Sequence, residues 1–161
     1  MKIFVLSRTE SLKLVKKIED LWPEETVPKI KNLKVYDVDS GKCILKSSNF
    51  TAVQINESII LPFLGSTEIL SNFPSVKVDM GAVKFVCNGA KIMRPGITSF
   101  SFFKKGDVVT VRDEVHLKML AVGLALEDSQ TAILASSGYI IHNLHFVGDK
   151  FWEAYKQIPS S

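Results

Sequence analysis

The chain has 161 residues, enough for one ordinary domain or two small ones. Hydrophobic residues make up 46% and charged residues 23%, a globular balance that excludes a disordered polymer. The net charge of +3 excludes a polybasic tail, since residues 1–73 carry 10 basic and 9 acidic groups and residues 74–161 carry 10 and 8. Any contact with a polyanion must therefore come from a few charges arranged by folding.

Residues 2–6 read as a short strand. Ser7-Arg8-Thr9-Glu10 reads as a capping box, with Ser7 and Glu10 closing on each other's backbone amides. Leu12, Val15, Ile18 and Leu21 follow at helical spacing, Lys13, Lys16 and Lys17 lie mostly outward, and Trp22-Pro23 ends the helix. After a connector at 28–31, strands at 33–38 and 43–47 flank the turn Asp39-Ser40-Gly41-Lys42. Strands at 51–55 and 59–63 pair about Asn56-Glu57, and 65–71 reads as one short helix. Phe73-Pro74 marks an internal boundary, because the proline stops the helix and the pattern turns to strands beyond it.

Residues 76–79 are strand-like, and 81–87 form a short helix that Asn88-Gly89 stops in the left-handed region. Residues 90–93 return to extended chain and end at Pro95-Gly96. Lys104-Lys105-Gly106-Asp107 is a turn, followed by strands at 108–112 and 117–126. Glu127-Asp128-Ser129 opens a short helix through Ala135. Strands at 138–144 and 151–155 finish the pattern around Gly148-Asp149, and Pro159-Ser160-Ser161 is a frayed end. The expected fold class is α+β: a small α+β N-terminal domain over 1–73, then a mixed β-barrel domain over 74–161 with many short strands and tight turns.

Several function classes find no support. The longest apolar run, 119–126, is too short to span a bilayer, and residues 3–6 before Arg8 are too short for a signal-peptide core. No membrane association and a cytoplasmic location are expected. Cys43 and Cys87 stand far apart with no motif, so they read as reduced, partly buried thiols. His142 and His145 lie three apart in a strand, which sends them to opposite faces and argues against shared metal ligation; His116 stands alone. There is no nucleophile elbow, no phosphate-cradling glycine loop and no paired-cysteine zinc site. Asp79 reads as the cap of the helix that follows it. No catalytic residue, cofactor or metal is expected.

The chemistry concentrates between residues 80 and 106, where Lys84, Lys91, Arg94, Lys104 and Lys105 occur with no acidic residue. Gly81 and Ala82 begin a helix and are small enough for a phosphate to approach backbone amides; close helix–sheet packing explains them equally well. Gly89 and Ala90 leave the backbone open where the chain re-enters a strand, with Lys91 and Arg94 flanking the opening. Arg94 is suited to fork onto a phosphate or stack on a base. Val83, Phe85 and Val86 read as core. Among Phe100, Phe102 and Phe103, alternation buries the first two and makes Phe103 the candidate for stacking on an unpaired base.

These residues carry a resemblance. The pieces Val-Asp-x-Gly-Ala-Val-Lys-Phe-Val, Gly-Ala-x-Ile and Pro-Gly-Ile stand in order within 76–97 and resemble the opening of a PUA domain, an RNA-binding pseudobarrel. Lys105-Gly106-Asp107-Val108-Val109 resembles the next strand entry. Asn143-Leu144-His145-Phe146-Val147-Gly148-Asp149-Lys150-Phe151-Trp152 looks like the closing hairpin of the malignant-T-cell-amplified-sequence type. Residues from Phe63 to Pro74 also resemble that subfamily's N-terminal domain, and a free-standing archaeal-type relative is implied.

The resemblance implies non-catalytic binding of structured RNA, tRNA or small-subunit rRNA, in a translation-related role. It further implies a partner at the small ribosomal subunit or a translation factor. The family's first helix and following strand, together with the basic and aromatic residues read above, make the candidate RNA-binding residues Gly81, Ala82, Lys84, Gly89, Ala90, Lys91, Arg94, Phe103, Lys104 and Lys105. Two other readings stay open at this point: an RNA-targeting subunit of a tRNA or rRNA modification enzyme, and a protein-interaction module without RNA binding.

Overall fold

Ser7 opens the first helix as its sequence dictates. The Glu10 N–H donates to Ser7 Oγ at 3.1 Å and the Ser7 N–H to Glu10 Oε1 at 3.1 Å. In the computed structural model, which describes residues 1–159, the chain forms two units. Ser160 and Ser161, two of the three residues of the expected frayed end, lie outside the described residues.

The first unit holds β1 (Lys2–Val5), α1 (Arg8–Leu21), β2 (Lys34–Asp39), β3 (Lys42–Ser47), β4 (Phe50–Gln54), β5 (Ile60–Pro62) and α2 (Thr67–Leu70). The five strands make an antiparallel meander in chain order. The buried stripe of α1 is Ser11, Val15 and Ile18, continued by Trp22; Leu12 and Leu21, expected inward, are exposed. Val15 and Ile18 are buried as expected and only the ends differ, Ser11 replacing Leu12 and Trp22 replacing Leu21, because polar partners anchor those two residues. Ser11 Oγ accepts the Leu33 N–H at 3.1 Å, and Trp22 Nε1 donates to the Ile60 carbonyl at 2.8 Å.

The second unit runs from Phe73 to Asp149. It contains β6 (Ser75–Val78), α3 (Val83–Val86), β7 (Ile92–Met93), β8 (Ile97–Phe100), β9 (Val108–Asp113), β10 (Met119–Ala125), α4 (Ser129–Leu134) and β11 (Tyr139–Phe146). Single 3-10 turns at Met80–Ala82 and Arg94–Gly96 lead into α3 and β8. The sheet order is β7-β11-β10-β9-β6-β8, with β6 parallel to β9 and every other pairing antiparallel. This nearly closed sheet is a pseudobarrel, filled by Val76, Val78, Val109, Val111, Ala121 and Ile141.

Two expectations about these elements fail. Phe103 is 1% exposed whereas Phe102 is 65% exposed, the reverse of simple alternation. β8, an element the sequence did not signal, ends at Phe100, so the pleat does not extend to 103. Reciprocal bonds then fasten the segment: the Phe103 N–H donates to Ser129 Oγ at 3.0 Å and the Ser129 N–H to the Phe103 carbonyl at 2.9 Å. The Phe103 ring plugs the barrel and is withdrawn from any stacking role. Residues 151–155, expected as a strand, lie in α5 (Lys150–Tyr155), because Phe151, Trp152 and Tyr155 share a helical face. α5 returns to the first unit, where Phe63 lies against Trp152 and Tyr155 with ring centroids 5.9 and 4.3 Å apart. The expected second domain ran to residue 161, whereas the contacts group the chain from Lys150 onward with the first unit.

The β9–β10 connection is built around the buried carboxylate of Asp113. Its Oδ1 accepts the N–H of Val115 and of His116, and its Oδ2 that of Lys118. Burial pushes this carboxyl up, but the three N–H donors outweigh it and hold the group below the ordinary carboxylate range. A depressed folded value means that the stabilisation is complete above the unfolded pKa of about 3.9 and is lost as pH falls through the folded value. Asp113→Asn should therefore lower the melting temperature at neutral pH and flatten its fall below about pH 4, read by thermal unfolding across an acid pH series.

Candidate nucleic-acid interface

Asp79 caps the 3-10 turn as expected, its Oδ1 accepting the Ala82 N–H at 2.9 Å. The same amide also reaches the Asp79 carbonyl at 3.1 Å. The Ala82 amide is thus already occupied, so the backbone approach expected for a phosphate is closed there. Gly89 and Ala90 behave alike: their N–H groups donate to the Val86 and Phe85 carbonyls, both at 3.0 Å. Gly89 sits at φ 89°, and an added Cβ would press on the Phe146 ring at 3.0 Å. These small residues shape the site; their amides are not free to hold an anion.

The shape they produce is an apolar cleft of about 450 Å³. Val78, Ala82, Phe85, Ile92, Met93 and Pro95 line it, with Asp79 and Lys91 among its few polar groups. Phe85 was expected in the core, yet it is 57% exposed. α3 is a single turn, so Val86 points inward and Phe85 is left on the open side. Met93 and Tyr139 pair across β7 and β11 and are also exposed. Lys84 Nζ lies 5.1 Å from the Phe85 ring centroid and Lys91 Nζ 5.3 Å from that of Tyr139. The result is an apolar recess flanked by exposed rings, each with a lysine over its face.

Arg94 does not join this exposed set. Its Nη1 donates to the Ile97 carbonyl at 3.0 Å and its Nη2 to that of Ile133 at 3.3 Å, while the guanidinium lies 4.9 Å from the Phe100 ring centroid. It braces the turn before β8 against the end of α4. Lys104 and Lys105 are exposed on the turn ahead of β9, outside the cleft lining, and their N–H groups donate to Asp107 Oδ2 and Asp128 Oδ1.

Asn143 supports the cleft, and the sequence pattern did not single it out. From β11 its Nδ2 donates to the Val86 carbonyl at 3.0 Å and the Ala90 carbonyl at 3.1 Å, fixing both ends of the α3–β7 link. Replacing it by leucine keeps the branched shape, removes the side-chain donor from the Ala90 carbonyl and leaves the Val86 carbonyl only the Gly89 N–H. Asn143→Leu should cost about 1–3 kcal/mol in urea denaturation.

Elsewhere, His145 is fully buried with Nδ1 2.8 Å from Asp149 Oδ2. Cys43 and Cys87 are free, and burial pushes both thiols up. No described helix is long and apolar enough to cross a membrane. Among the described residues, no three His, Cys, Asp or Glu side chains are grouped to hold a metal ion.

Residues 74–147, which form the pseudobarrel and its cleft, match the PUA domain. An uncharacterized protein of Methanocaldococcus jannaschii is 35% identical over 154 residues, covering 94% of this chain and 95% of its own length. Translation machinery-associated protein 20 of Saccharomyces cerevisiae is 31% identical over 166 residues, covering 91% of this chain and 87% of that one. A hypothetical protein of Pyrococcus horikoshii, known from a crystal structure, superposes with a TM-score of 0.79 at 25% identity, covering 95% and 99% of the two chains. The chain belongs to the PUA-domain proteins of the type named malignant T-cell-amplified sequence and translation machinery-associated protein 20. PUA domains generally bind RNA.

Proposed function

We propose that this chain is a non-catalytic protein that holds structured RNA, tRNA or small-subunit rRNA, in a translation-related role. The observation that carries the reading is the apolar cleft lined by exposed Phe85 and Met93, with Tyr139 paired to Met93 and a lysine over each of the Phe85 and Tyr139 rings. An unpaired base fits such a recess by stacking and apolar contact, while Lys84 and Lys91 take the adjoining phosphates. The Asp79 carboxylate in the wall repels phosphate and accepts an N–H from a base edge, which favours a base in the recess and backbone outside it. Gly81, Ala82 and Ala90 in its lining keep the cleft open, and Gly89 lets α3 end close against the Phe146 ring. Arg94 braces the turn that carries Pro95 and Gly96, and Lys104 and Lys105 add positive potential at longer range. The name of the yeast relative supports the link to translation.

The test is fluorescence anisotropy with labelled deacylated tRNA, with and without its 3′ CCA end, over a salt series. Salt-sensitive binding that needs the CCA end identifies a reader of tRNA ends. Binding indifferent to the CCA end points to rRNA or another folded RNA. Absence of binding at low salt would remove the reading.

A further inference from the structure

A second basic surface lies on the first unit. Residues 27–36 and 43–56 hold Lys29, Lys31, Lys34 and Lys46 and no acidic residue. The register brings these stretches together: Lys34 on β2 stands directly opposite Lys46 on β3, and Val5 on the edge strand β1 stands opposite Lys34. Like charges directly opposite across an antiparallel pair destabilise the sheet. None of the four lysines is paired with a carboxylate among the described residues.

Two grooves adjoin beside this pair, sharing Asn32, Ser47 and Ser48 in their walls. One, of about 470 Å³, runs past Lys34 and Lys46 with Ile3 and Val5 beside them. The other, of about 400 Å³, runs past Lys29 and Lys31. The wall between is preset. Ser47 Oγ donates to Asn49 Oδ1 at 3.0 Å, and Asn49 Nδ2 donates to the Lys29 carbonyl at 3.4 Å, tying the β3–β4 turn to the connector.

We infer that this groove is a second nucleic-acid contact, which takes the phosphodiester backbone of a single-stranded RNA segment. The lysines neutralise successive phosphates, hydroxyl and amide groups of the wall donate to phosphate oxygens, and Ile3 and Val5 offer an apolar strip to sugars or bases. An unfavourable lysine pair is relieved when a phosphate lies between its two members, so the charge arrangement fits an occupied state better than an empty one. The inference rests on the RNA-binding reading above and extends it to the first unit.

The test compares the full chain, Lys34→Gln with Lys46→Gln, and Lys84→Gln with Lys91→Gln. Probes are a labelled single-stranded RNA and deacylated tRNA over a salt series. The groove variant should stay folded, with an unchanged or higher melting temperature, and lose about 1.4 from the slope of log K against log salt for two single-strand contacts. Lys34→Arg with Lys46→Arg should restore the slope, which guards against a purely structural effect. A groove variant with wild-type affinity and slope overturns this inference alone, provided the cleft variant is weakened. A weakened groove variant beside an unaffected cleft variant upholds the groove and removes the cleft. No RNA binding by the wild-type chain overturns both. Polyglutamate displacing RNA from the groove at equal charge would assign it to an acidic protein and overturn the inference as well.

Discussion

Lys84→Glu combined with Lys91→Glu is expected to weaken RNA binding by at least about tenfold near 0.1 M salt and to lower the salt slope by about 1.4. Both lysines are exposed, neither has a carboxylate partner among the described residues, and both lie over aromatic rings at the cleft rim. Their reversal puts negative charge where phosphates would sit and leaves the core untouched, so circular dichroism should be unchanged. Anisotropy across a salt series reads the effect, and an unchanged slope would falsify the proposed rim. Arg94 makes an instructive contrast. Arg94→Glu removes two donors to carbonyls and sets a carboxylate against the Phe100 ring, so its principal effect is on stability. A loss of RNA binding in that variant would report unfolding of the β8 turn and say nothing about phosphate contact.

Gly123→Ala is expected to destabilise the second unit by about 3 kcal/mol, the upper end of what overpacking usually costs. A Cβ at this position would overlap the carbonyl oxygen of His142, with the Ile141 side chain closing the other approach at 3.0 Å. Backbone is the obstacle, so rotamer changes give no relief. Gly123 sits where the β10–β11 register shifts and faces Asn143 across the pair. The variant therefore also displaces the side chain that holds α3 to β7. Urea denaturation should show an earlier transition, and RNA affinity should fall with it even though position 123 touches no ligand. Unaltered stability would mean that β10 and β11 separate at little cost, contrary to the packing described.

Much of the fold was legible in the sequence because its signals are local. The capping box at Ser7 and Glu10, the cap at Asp79 and the glycine stop at Gly89 need only a few neighbouring residues to act. What was not legible depends on partners distant in the chain. Phe103 is buried because Ser129 fastens its backbone, twenty-six residues away. Phe85 is exposed because α3 stops after one turn, and the burial of α1 is set by Leu33 and Ile60. The candidate site shows the same division. Its lysines were visible as an uncompensated basic stretch; Lys84 and Lys91 are both exposed, and Lys91 lines the cleft. Tyr139 stands beside Met93 from β11 and Asn143 ties the Val86 and Ala90 carbonyls from the same strand, neither read as a site residue in the sequence. Arg94, read as a phosphate or base contact, donates to carbonyls.

The return of α5 to the first unit sets an order of events during synthesis. The ribosome delivers β1 through α2 first, but Phe63 must wait for Trp152 and Tyr155, which are made only after the whole of the second unit. At about 5–20 residues per second, the intervening 73–149 stretch takes roughly 4–15 s to emerge. The part of the chain that is born first is therefore completed last, and the pseudobarrel is free to close before it.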